Sequence, residues 1–184
     1  MASVLIVLAP GCEEIETVTV ADVLVRAGQD VTIASVAKTL HVIGSRGIPL
    51  GAHVAFDTVA TRDFDLVYLP GGKGSAEICR DDARIQALAQ RQLAAGRHLA
   101  VICAAPIALV PHGLHRGRRL TSFPGVRDQL AGATWLDQPV VEDGNLITSQ
   151  GAGTAMVFAL TLARTLAGAD VAATVARQMI ATPI

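Results

Sequence analysis

Five strand-length runs of this chain are apolar or β-branched and lack the regular polar alternation of a half-exposed strand: Val4–Ala9, Val31–Val36, Leu66–Leu69, Leu99–Ile102 and Leu146–Ser149. A strand with one wet face alternates polar and apolar residues, so runs like these are expected to be buried on both faces. Between them lie stretches with helical spacing. Glu14–Ala27 places Ile15, Val18, Val23, Leu24 and Ala27 along one stripe and stops at Gly28; Asp81–Ala95 stops at Gly96. Helices are also expected over Thr154–Leu166 and Asp170–Met179, and one begins at Pro106–Val110. Gly44, Gly47, Pro49 and Gly51 break Val42–Phe56 into short strands joined by turns. Pro111–Glu142 is weakly patterned, with a strand near Leu120-Thr121. Strands alternating with helices predict an α/β fold, a mainly parallel sheet covered by helices on both faces. With 184 residues and no linker or repeat, one domain over residues 1–184 is the expectation.

Composition narrows the function classes. Apolar residues make up 51% and charged residues 17%, which excludes a disordered chain. The formal net charge is −1, so neither nucleic acid nor a membrane surface is indicated as a partner. The longest uncharged apolar stretch, Leu99–Val110, is interrupted by Pro106 and falls short of the roughly 20 residues of a spanning helix. The apolar N-terminus lacks a basic leader segment and runs directly into Gly11-Cys12-Glu13-Glu14, which reads as a first strand rather than a signal peptide. Cys12, Cys79 and Cys103 are odd in number and widely spaced, which fits a reducing cytoplasm better than a disulfide framework.

In parallel sheets, sites gather at the carboxyl ends of the strands. Cys103 sits there, in Val101-Ile-Cys-Ala-Ala-Pro106, between a strand and a helix. Such a turn lifts a nucleophile above the sheet edge and aims the following amides at an oxyanion, and a helix N-terminus favours the thiolate. The plainer alternative is an inert core cysteine. Glu13, Glu14 and Glu16 follow the first strand. Capping of the helix start explains the first two, and Glu16 lies on the same helical side as Glu13, where it is a candidate to face Cys103. Two anions cannot both ionise at contact, so one of that pair must hold a proton; a thiolate beside a protonated Glu16 is the expected arrangement. Gly71-Gly72 after the third run allow close backbone approach, or simply make a tight turn. Gly72-Lys73-Gly74-Ser75 lacks phosphate-loop spacing, and Gly151-Ala-Gly153 lacks the third glycine of a dinucleotide fingerprint. His112 and His115 read as an exposed loop pair rather than metal ligands, and no metal site is expected. Arg26 and Arg46 are candidates to bind a carboxylate, although Arg26 equally suits a helix C-terminus.

Leu8-Ala-Pro-Gly-Cys-Glu-Glu-Ile-Glu-Thr17, Leu69-Pro-Gly-Gly72, Val101–Pro106 and Thr148-Ser-Gln-Gly-Ala-Gly-Thr154 together resemble the DJ-1/ThiJ/PfpI superfamily, in order and over essentially the whole chain, and most closely its YajL-type branch. The resemblance implies a flavodoxin-like three-layer sandwich and a homodimer. It implies a reactive Cys103 whose thiolate accepts a hydrogen bond from a protonated Glu16, oxyanion-hole amides at Gly72 and Ala104, and Arg26 and Arg46 near a dimer-side pocket. It implies action on small reactive aldehydes or glycated protein side chains, as a glutathione-independent glyoxalase or a deglycase, with chaperone and oxidative-stress roles and no cofactor. Two positions depart from other branches. Phe123, in Thr121-Ser-Phe-Pro124, stands where a histidine occurs, and Ala104 stands where protease-like members carry histidine. Both weigh against a cysteine peptidase or amidase and leave Glu16 as the acid/base. A redox sensor or redox-dependent chaperone is the rival reading, with Cys12 a candidate to resolve an oxidised Cys103.

Overall fold

The structure is a computed structural model that describes residues 1–182; positions 183 and 184 of the expected domain lie outside the described residues. In chain order it contains β1 (Ser3–Leu8), α1 (Glu14–Arg26), β2 (Asp30–Ser35), β3 (His41–Ile43), β4 (Pro49–Gly51), β5 (Val54–Ala55), β6 (Leu66–Leu69), α2 (Lys73–Asp81), α3 (Ala83–Ala94), β7 (His98–Ile102), β8 (Arg119–Leu120), β9 (Thr134–Trp135), β10 (Val140–Asp143), β11 (Leu146–Ser149), α4 (Ala155–Ala167) and α5 (Ala169–Gln178). Seven strands form one sheet in the order β10-β11-β7-β6-β1-β2-β5. All neighbours are parallel except β10, which returns antiparallel on β11. β3 and β4 form a separate antiparallel hairpin, Val42 opposite Leu50.

The register explains why the strands read as unbroken apolar runs. Side chains alternate across a sheet. Val4 and Ile6 of β1, Leu66 and Tyr68 of β6, and Ala100 and Ile102 of β7 pack on one face with α1, α4 and α5. Leu5 and Val7, Val67 and Leu69, and Leu99 and Val101 pack on the other with α2, α3 and Phe56. Both faces are covered, and the polar side chains buried in the sheet, Ser35, Thr148 and Ser149, are hydrogen-bonded. Each fully buried Leu, Val or Ile contributes about 1.5–3 kcal/mol relative to exposure.

The expected helix over Asp81–Ala95 is present as α3. Asp82 takes an extended backbone and caps α3 by accepting from the Arg84 amide at 2.9 Å. α2 precedes it, where the sequence pattern assigned no element, with Gly72 as the residue before its first turn at φ +87°. The helix expected after Cys103 is a 3-10 segment, Ala105–Leu109, as Pro106 and the tight packing of Ala105 and Ala108 allow only short turns there. Among the described residues no helix is long and apolar enough to cross a membrane.

Candidate functional site

Cys103 follows β7 and adopts φ +61°, in the left-handed region. That region costs a residue with a Cβ roughly 1–2 kcal/mol, and strain of this kind gathers at functional turns. Its neighbours hold it there: the Cys103 amide donates to the Ser149 carbonyl (3.0 Å) at the end of β11, and the Phe123 amide donates to the Cys103 carbonyl (2.8 Å). The side chain is left half-buried, facing a cleft of about 600 Å³. The backbone amides of Gly72 and Ala104 lie beside the sulfur and favour its ionised form.

Glu16 lies in the first turn of α1 and is completely buried. Glu13 accepts its backbone amide at 2.8 Å and so caps the helix. The Glu16 carboxyl accepts the Gly71 amide through Oε2 at 2.9 Å, and the Tyr68 hydroxyl donates to the Glu16 carbonyl at 3.1 Å. Oε1 is buried without a hydrogen-bond partner. Gly71 makes the Glu16–Cys103 approach possible, and Gly151 lies near both groups. A Cβ on Gly71 would stand 2.4 Å from Glu16 Oε2 and 2.5 Å from the Cys103 Cβ; one on Gly151 would stand 3.9 Å from both Cys103 Sγ and Glu16 Oε1.

The two groups compete for a proton. Burial pushes the Glu16 carboxyl up to about 7, with the Cys103 side chain opposing the shift. Burial and then the Glu16 charge push the Cys103 thiol up to about 12, against the lowering pull of the Gly72 and Ala104 amides. The pair therefore retains at least one proton at neutral pH, as the sequence requires of adjacent anions.

The remaining candidates separate. Arg46 lines the cleft with Cys103. Arg26 does not: it pairs with Asp22 at 2.8 Å on α1 and borders a different hollow against α5. Within this chain the two arginines expected together at one pocket are apart. Glu14 is not occupied in capping its own helix. Its carboxylate accepts the Arg46 amide (2.7 Å), the Ile48 amide (3.3 Å) and the Ser45 hydroxyl (3.1 Å), pinning the β3–β4 turn to α1. Burial opposes its ionisation, but these bonds outweigh burial and hold it below the usual carboxylate range. Cys12 is fully buried against Leu8 and Val42 and does not line the Cys103 cleft, which leaves it badly placed to resolve an oxidised Cys103. His115, expected on the surface, is buried, its ring nitrogens 3.3 Å and 3.1 Å from the Leu109 and Ala131 carbonyls; His112 is exposed. Among the described residues no group of three or more His, Cys, Asp or Glu could hold a metal ion. Lys73, Glu77 and Arg80 of α2 also line the cleft and were missed, because no element was assigned to α2 from the sequence.

A family model described as the DJ-1/PfpI family matches residues 2–165. Protein dj-1beta of Drosophila melanogaster is 41% identical over 180 residues, covering 97% of this chain and 96% of the relative. A Pyrococcus abyssi protein named a deglycase is 33% identical over 152 residues, covering 82% and 90%. The crystal structure of Drosophila DJ-1beta superposes with a TM-score of 0.95 at 40% identity, covering 99% of this chain and all of that one.

Proposed function

Because this chain belongs to the DJ-1/PfpI family, we propose that it is a carbonyl-stress enzyme that uses Cys103 and Glu16 on methylglyoxal-type aldehydes or their protein adducts. The observation that carries the reading is the strained Cys103 at the cleft beside a buried, half-unpartnered Glu16 carboxyl, where the Gly72 and Ala104 amides favour ionised sulfur. The family relative named a deglycase is compatible with it.

The residues supply each step with methylglyoxal. Glu16, whose carboxyl titrates near 7, takes the Cys103 proton as sulfur bonds to the aldehyde carbon. The alkoxide forms against the Gly72 and Ala104 amides, the oxyanion hole of this mechanism. Glu16 returns the proton to that oxygen, giving a neutral hemithioacetal. It then removes the C1 hydrogen as a proton and delivers it to C2, while the C1 hydroxyl proton passes to the C2 oxygen, which leaves a thioester of a 2-hydroxy acid. Water hydrolyses the thioester, releasing lactate and the free thiol. The sum is methylglyoxal plus water to lactate, with no external oxidant or cofactor. Arg46, at the cleft mouth, is the remaining binding candidate.

We assign the exposed apolar surface of α1 and the β3–β4 hairpin, carrying Ile15, Val18, Ile43 and Ile48, to a second copy of the chain. An apolar groove between Val18 and Leu50 continues it. Val18→Glu is expected to turn a dimer into a monomer in sedimentation; a monomeric wild type overturns the assignment.

A second reading has its own support. Cys103 borders a cleft whereas Cys12 and Cys79 are fully buried, so peroxide would oxidise Cys103 selectively, as a redox sensor requires. Lactate formation from methylglyoxal decides between them. Turnover by the wild type, lost in Cys103→Ser and Glu16→Ala, supports the enzyme; no lactate from folded wild type favours the sensor.

A further inference from the structure

Three of the four phenylalanines, Phe56, Phe64 and Phe158, are buried, while Phe123 is 51% exposed. A lone exposed apolar side chain needs no explanation in general. The place of this one does. Phe123 lines the Cys103 cleft, and it also lines an open groove on its other side formed with Asp137, Gln150 and residues 151–154. A Cβ on Gly151, in that groove, would stand 3.9 Å from Cys103 Sγ and from Glu16 Oε1. The ring therefore stands between two depressions, one lined by Cys103 and the other by Gly151.

The ring is held in place. The Phe123 amide donates to the Cys103 carbonyl at 2.8 Å, and the Val126 amide donates to the Phe123 carbonyl at 3.1 Å. Ser122, fully buried, accepts the Trp135 indole N–H at 3.0 Å. Gly125 makes room for the ring, since a Cβ there would stand 2.8 Å from Phe123 Cε1. The cleft itself is two-sided. Ala104, Ile107, Phe123 and Val126 make one wall apolar, whereas Arg46 and Lys73 are charged. An aromatic face beside a nucleophile, backed by aliphatic side chains, suits a flat apolar group attached to the reacting carbon.

We propose that Phe123 is a specificity-determining residue of the Cys103 cleft, its ring selecting electrophiles that carry an aromatic or bulky apolar group over small ones. The choice of aryl α-oxoaldehydes over methylglyoxal rests on the carbonyl reading of the site. Alkylation of the thiol does not, and tests the wall by itself.

The experiment compares Cys103 modification by N-phenylmaleimide and N-ethylmaleimide, followed by intact mass at one pH, in wild type, Phe123→Ala and Phe123→Leu. Taking the phenyl-to-ethyl rate ratio relative to wild type cancels the reagents' intrinsic reactivities. An aromatic contact is worth a few-fold to about tenfold, so the ratio is expected to fall by that factor in Phe123→Ala and less in Phe123→Leu. The same variants are then assayed for KM and kcat with phenylglyoxal and methylglyoxal. KM for phenylglyoxal is expected to rise by a similar factor in Phe123→Ala with kcat kept, and methylglyoxal to change little. An unchanged alkylation ratio, or equal acceleration of both reagents through a merely opened cleft, overturns the proposal. A fallen ratio with no turnover of either aldehyde by the wild type supports the wall and rejects the enzymatic reading.

Discussion

Glu16 keeps one carboxyl oxygen on the Gly71 amide, at 2.9 Å, and buries the other without a partner beside the Cys103 thiol. A buried carboxylate with half its acceptors empty is costly, which is why the group titrates near neutrality. The same vacancy leaves an acceptor free for a proton in transit.

Glu16→Gln should separate thiol reactivity from turnover. The Glu16 charge is the second cause, after burial, of the raised Cys103 pKa. Removing it lowers that pKa and raises the thiolate fraction, so alkylation of Cys103 near pH 8 is expected to quicken. Turnover of methylglyoxal is expected to fall about 10²- to 10⁴-fold, because the amide cannot carry the proton. Thiol-alkylation rates and lactate assays on one preparation check this. Slower alkylation would show that Glu16 activates the thiol by a different route.

The same residue sets a pH dependence of stability. The Glu16 carboxyl is raised from 4.5 to about 7 by folding. A raised folded value means that its contribution is fully present below about pH 4.5 and is lost as pH rises through 7. On the order of 3 kcal/mol is at stake over that window. Urea melts of wild type at pH 5 and pH 8, beside Glu16→Gln, should show the decline in wild type and a flatter profile in the variant. Parallel profiles would remove Glu16 as the cause.

Much of this could be read from sequence because it is written in local pattern. The β1, β6, β7 and β11 runs declare their own burial, and the site follows from the rule that places function at the ends of parallel strands. What could not be read depends on partners distant along the chain. Glu14 looks like a capping acid until the β3–β4 turn, more than thirty residues on, supplies its three donors. His115 looks like a surface histidine until Leu109 and Ala131 close over it. α2 was hidden by Gly72 and Gly74, which signal a turn by propensity. Gly72 has to be glycine for φ +87° and for a Gly11 carbonyl that would stand 2.2 Å from a Cβ. The 3-10 form of Ala105–Leu109 is a distinction that periodicity over five residues does not make.

Glu14→Ala is expected to loosen the hairpin rather than the catalytic pair. It strips the Arg46 and Ile48 amides and the Ser45 hydroxyl of their shared acceptor. A hydrogen bond to a charged group is worth about 1.5–3 kcal/mol, and exposure of the turn reduces the loss to the low end of that range per molecule. Faster amide exchange at positions 46 and 48 is the specific readout. Because Arg46 borders the cleft, KM is expected to rise more than kcat falls. Unchanged exchange at both amides would show that the turn holds without Glu14.

Gly71→Ala is expected to destabilise the fold by about 1–3 kcal/mol and to abolish turnover together, because one added methyl meets both catalytic side chains. It would stand 2.4 Å from Glu16 Oε2, 2.5 Å from the Cys103 Cβ and 2.9 Å from the Ile102 carbonyl. The strand end and the strained Cys103 cannot yield, so the carboxyl must leave the Gly71 amide. Gly153→Ala is the control: no heavy atom lies within 4 Å of its added Cβ and its φ is not in the left-handed region. There the shorter list of unfolded conformations is the main effect, and stability should hold or rise by about 0.4–1 kcal/mol. Thermal melts and lactate assays on the two variants distinguish a contact with the reacting pair from a general intolerance of change in the glycine turns. Equal losses in both would mean that the turns, and not the approach of Glu16 to Cys103, require glycine.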